Sequence, residues 1–147
     1  MLEAFSTTCN RRIAFVFLAI FCVSAAIATV LGISDNPPGI FLAYGSITAL
    51  ILAFVHPWRT LKPFRNLFFA AVLGFVIFGI LHNVFEAVAS RAITSGVLQS
   101  LMQVLGVASF LLALMICPPA ILVGAIGSVI TFIRNRTGST AESDTAV

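Results

Sequence analysis

Charge is what this sequence lacks most. Its 147 residues include 8 Lys or Arg and 5 Asp or Glu, so 9% are charged. A soluble domain carries about 25%. That shortage excludes a soluble globular domain, and it equally excludes a disordered chain, which needs low hydrophobicity and high charge. Cysteine is also scarce: Cys9, Cys22 and Cys117 are an odd and scattered set, which is no disulfide framework. The sequence holds no Cys-x-x-Cys, no Gly-x-Ser-x-Gly, no phosphate loop, no His-Glu-x-x-His and no paired carboxylates. Standard hydrolytic and nucleotide-using enzymes are thereby disfavoured. Nucleic-acid binding is unsupported, because cations beside a membrane account for the net charge of +3.

What the sequence does have is apolar residues: 60% of the chain, with a mean hydropathy of +1.11. This is the composition of an integral membrane protein, and the length allows about four spans of roughly 20 residues each. After an N-terminal segment, 1–12, the first apolar run covers 13–33 and follows Arg11 and Arg12. It exceeds the roughly 7–15 apolar residues of a cleavable signal, and more apolar runs follow it. An uncleaved span is expected, and twin-arginine export of a folded cargo is not. Ser34-Asp35-Asn36-Pro37-Pro38-Gly39 reads as a tight hairpin. The second span, 40–55, ends at an interfacial loop in which Trp58, Arg59, Lys62 and Arg65 are expected at lipid headgroups. The third span is expected over 67–88.

The run from Val97 to Ile133 is too long for one span and has Pro118-Pro119 in its middle. Either it makes two short spans, five in all, or an interfacial helix leads into one kinked span, four in all. Charge favours four. With both termini inside, Arg11, Arg12, Arg59, Lys62, Arg65, Arg134 and Arg136 fall on the cytoplasmic side and only Arg91 lies outside. Five spans would export the tail and demand a turn at Cys117-Pro118-Pro119-Ala120 with no strongly polar residue in it. The expected fold is therefore all-α: an integral membrane four-helix bundle with a short interfacial helix, about 90–105, before a proline-kinked fourth span, 106–133. A flexible tail, 134–147, follows. The interfacial helix is inferred from Ile93, Val97, Leu101 and Leu105 recurring every four residues beside Thr94, Gln99 and Gln103.

Lipid is as apolar as leucine, so association of spans rests on close packing of small residues. Ser24, Ala28 and Gly32, then Gly45, Ala49 and Ala53, then Ala70 and Gly74, and finally Ala120, Gly124 and Ser128 are spaced for it. Gly32, Gly45, Gly74 and Gly124 are the expected contact glycines, within the chain or between chains.

No charged residue falls at the central level of any span, which argues against a proton relay, a voltage sensor or a deep ion site. The candidate polar or metal site is His82, Asn83 and Glu86, with Asp35, Asn36 or Arg91 as neighbours. His82 and Glu86, four apart, share a helix face. Cys117 joins them as a candidate through depth matching. Pro118 and Pro119 mark a helix break that leaves the carbonyls of Leu114 and Met115 without their usual donors. His56 and His82 lie too far apart to hold one haem. No catalytic residue and no cofactor is expected. Asn135-Arg136-Thr137, a glycosylation acceptor by pattern, falls inside. Thr145-Ala146-Val147 resembles a carboxylate-captured peptide ligand. The expected role is an accessory, interaction or assembly component of the cell membrane, with the bilayer, further copies of itself or a larger complex as partners. A small oligomeric channel or transporter with a polar outer site at His82 and Glu86 is the alternative, and a metal-binding or redox enzyme is third.

Overall fold

The computed structural model describes residues 8–32, 36–91 and 96–144, with side chains over 10–32, 36–90 and 96–136. Asp35 and Thr145–Val147 lie outside these residues, as does the side chain of Arg91. Helix α1 covers Thr8–Leu31, α2 Pro37–Val55, α3 Leu61–Arg91, α4 Gly96–Leu111 and α5 Cys117–Asp144, with a π-helical segment, Leu112–Ile116, joining α4 to α5. Four helical stretches are long and apolar enough to cross a membrane, the last being Gly96–Arg136. The architecture is an all-α helical bundle of a membrane protein.

The first hairpin is closed by local chemistry. Gly32 takes φ +80° just after α1, the left-handed C-cap that glycine adopts without steric cost. Asn36 donates its side-chain amide to the Leu31 carbonyl at 2.9 Å, and Pro37 and Pro38 open α2, where missing amide hydrogens cost nothing. Gly32 is thus a cap, with no atom within 4 Å of where a β-carbon would sit, and Gly45 is equally open. Neither makes a close packing contact within the chain.

No turn occurs at Cys117–Ala120. Helix runs through both prolines, so the described residues hold four membrane-length helices and not five. The backbone accommodates the prolines by widening: the Cys117 amide reaches back five residues to the Leu112 carbonyl, a π-bulge of the kind that absorbs a break in the ladder. Nor does a loop separate 96–105 from 106–133. The segment expected to lie along the surface is the first part of the same continuous helix, because nothing between Gly96 and Leu111 interrupts it. Residues 92–95 of that expected interfacial segment lie outside the described ones.

Packing makes two antiparallel hairpins. α1 packs on α2 alone, α3 packs on α4 and α5, and α2 meets α5 and the π segment to join the pairs. Among the described residues α1 and α3 do not touch. The order across the molecule is α1, α2, α5, α3: an open row and not a closed ring. The interior is made of small side chains, with Ala28, Ala49, Ala53 and Ala120 all buried, as helix packing in lipid requires. In α3, Ala71 is buried whereas Ala70 is exposed. At Gly124 the neighbour is backbone. A β-carbon there would lie 2.8 Å from the Phe68 nitrogen and 2.9 Å from its α-carbon.

Candidate functional site

The polar candidates sit where α3 and α4 run side by side. His82 places Nδ1 3.0 Å from the Gly106 carbonyl, so Nδ1 carries the hydrogen that it donates. Gly106 is buried, and a β-carbon there would lie 3.6 Å from the Phe85 β-carbon, 3.9 Å from His82 Nδ1 and 4.0 Å from the Glu86 nitrogen. The other ring nitrogen, Nε2, lies 3.6 Å from Glu86 Oε2, and the ring leans on Phe110 at 5.1 Å between centroids. His82, Glu86, Ser90, Gln99 and Gln103 line an open cavity of about 490 Å³, a size usual for small-molecule sites. The polar stripe of α4 therefore faces the polar end of α3.

Asn83 and Cys117 are not part of it. Asn83 folds back on its own helix, donating to the Gly79 carbonyl at 2.8 Å. Cys117 is buried beside Gly74, its Sγ 3.6 Å from where a β-carbon there would lie. That is eight residues from His82, about 12 Å of helix rise. The expected depth match fails because α3 begins at Leu61, well before residue 67, and Phe64 already packs on Gly127. Register along the α3/α5 pair is shifted accordingly. Among the described residues no three His, Cys, Asp or Glu gather as metal ligands.

This geometry fixes a prediction. His82→Ala removes a part-buried hydrogen bond and is expected to cost about 1 kcal/mol in a denaturant titration of the detergent-solubilised protein. Glu86→Gln is expected to cost under about 0.5 kcal/mol, because its side chain is 71% exposed and exposed pairs contribute little.

The helix break acquires a partner that the sequence did not disclose. Tyr44, on α2, donates its hydroxyl to the Leu114 carbonyl at 2.9 Å, the carbonyl whose α-helical donor would be the nitrogen of Pro118. One signal was available: this is the only tyrosine in the chain, placed mid-span in a helix whose other polar side chains are Ser46 and Thr48.

At the other end lies a second cavity, about 450 Å³, between α2 and α5. His56, Trp58, Arg59 and Arg134 line it together with apolar side chains. Lys62 and Arg65, the other two expected headgroup contacts, are exposed nearby and do not line it. His56 and His82 are thus in different cavities at opposite ends. The comparisons with known proteins add no assignment: no family model, no curated protein and no solved structure matches this chain.

Proposed function

We propose that the protein is a membrane-embedded interaction or assembly component, with its termini and the cationic end of the row on the cytoplasmic side. The observation that carries this reading is the open row. α1 is held on one side only, by α2, and it shares no contact with α3 among the described residues. A second small-residue face runs along α1 away from α2: Ala19, Cys22, Ala26 and Thr29 are all exposed, which lets another helix backbone approach closely. The charge pattern supports the orientation, since Arg11, Arg12, Arg59, Lys62, Arg65, Arg134 and Arg136 all gather at one end of an up-and-down row. The polar cavity at His82 and Glu86 favours a second reading, a small channel or transporter. Against a path through one chain, Gly74, Cys117, Gly124 and Phe68 close the helices on each other between the two cavities.

The test is native mass spectrometry of the full chain from mild detergent, combined with oxidative crosslinking of Cys22 in the membrane after Cys9→Ser. More than one copy, or a second polypeptide, is expected, and a Cys22 crosslink would put α1 at the contact between copies. A monomer with no polypeptide partner and no crosslink would overturn the reading.

A further inference from the structure

We propose that the cleft between α2 and α5 at the cationic end is a specific site for one anionic phospholipid, its phosphate held between Arg59 and Arg134 and one acyl chain lying along α5. This goes beyond the assembly reading and does not depend on it.

The charge is one-sided. Arg59, from the connection after α2, and Arg134, from α5, line the same cavity, and no acidic residue among those described does. Guanidinium groups match phosphate through paired, charge-assisted hydrogen bonds. Trp58 stands beside them, and its edge meets the Phe64 ring at 5.4 Å between centroids. That is the amphipathic side chain expected at headgroup depth.

The remainder of the cleft excludes a simple phosphate. Leu52, Val123, Ile126 and Ile130 make its wall, and the hydroxyl of Thr131 is turned back to the Gly127 carbonyl at 2.8 Å. From Val123 to Arg134 the helix rises about 16 Å, close to one leaflet of a hydrocarbon core roughly 30 Å thick. A cationic mouth above an apolar slot of leaflet depth fits a ligand with an anionic head and a hydrocarbon tail. The position has a structural consequence, because among the described residues the two hairpins are joined where α2 meets α5 and the π-helical segment. A lipid seated there bridges them.

The experiment uses the full chain, stripped of lipid in mild detergent, with phosphatidylglycerol, phosphatidylcholine or inorganic phosphate added and occupancy read by native mass spectrometry. Phosphatidylglycerol is expected to occupy one site per chain and to bind more than about tenfold more tightly than phosphatidylcholine. The pair Arg59→Gln and Arg134→Gln should weaken it about thirtyfold, taking roughly fivefold for each cation. Lys62→Gln with Arg65→Gln removes the same charge outside the cleft and should change binding by less than about twofold. Ile126→Trp narrows the apolar wall and should weaken both lipids. All four charge positions are exposed, and helical content by circular dichroism confirms that each variant is folded. Equal losses from the two double variants would overturn the proposal in favour of general surface attraction. Equal binding of the two lipids would overturn it, as would displacement of phosphatidylglycerol by millimolar inorganic phosphate.

Discussion

Gly124→Leu is expected to separate α3 from α5 and to cost more than about 3 kcal/mol in a denaturant titration. Even an alanine is expected to cost about 1–3 kcal/mol, the range for overpacking a tight contact. The reason is what the new atoms would meet. At Gly124 they meet the backbone nitrogen and α-carbon of Phe68, at 2.8 and 2.9 Å, and backbone cannot swing aside as a side chain can. The helices must move apart, and the small-residue contact that holds them in lipid goes with them. Gly127→Ala is expected to cost less. Its β-carbon would overlap the ring of Phe64, which can rotate at the start of α3. A β-carbon at Gly45 would meet nothing within 4 Å, and Gly45→Leu should leave the stability of a monomer unchanged within about 0.5 kcal/mol. The three glycines look alike in sequence, so the graded result would test the helix register itself. Gly124 and Gly74 both pack inside one chain, so their loss unfolds a hairpin before it affects assembly.

That contrast marks how far the sequence could be read. Composition and charge placement were sufficient for the number of membrane-length helices among the described residues: there are four, and Pro118-Pro119 is not a turn. The small-residue spacing correctly indicated Ala28, Ala49, Ala53, Ala120 and Gly124 as buried. It could not show Gly32 as a cap or Gly45 as open, because spacing gives a helix face and not what that face meets. The start of α3 was hidden by Lys62 and Pro63, which resemble loop residues. Pro63 sits in the first helical turn, where no amide donor is needed. That early start slides α3 against α5 and takes Cys117 away from His82. Likewise the polar stripe of α4 was legible, but not that Gln99 and Gln103 line a cavity together with His82 and Glu86. Register is a tertiary property, and each of these departures follows from it.

The link between Tyr44 and the proline break gives a second large effect and a way to isolate it. Tyr44→Phe keeps the ring and removes the hydroxyl, leaving the Leu114 carbonyl without its donor. The bond lies at the exposed surface of the bundle, where hydrocarbon offers no donor; a carbonyl left unsatisfied away from water costs about 1–3 kcal/mol, whereas interhelical hydrogen bonds in membranes average nearer 0.6 kcal/mol, since the separated helices find other partners. The upper range applies here, because the competing donors are absent: the nitrogens of Pro118 and Pro119 carry no hydrogen, and the Cys117 amide is committed to Leu112. We expect Tyr44→Phe to cost about 2 kcal/mol. Pro118→Ala restores an amide four residues beyond Leu114 and allows the π-bulge to relax to an α-helix, so in that background Tyr44→Phe should cost less than about 0.5 kcal/mol. The coupling in this double-mutant cycle, about 1.5 kcal/mol, measures the bond separately from the packing of the ring. If Tyr44→Phe costs the same in the natural chain and in the Pro118→Ala background, the hydroxyl is not serving the broken carbonyl, and the tyrosine acts through its ring alone. A coupling of the expected size would make α2 the strut that holds the break open and fixes the angle at which the second hairpin meets the first.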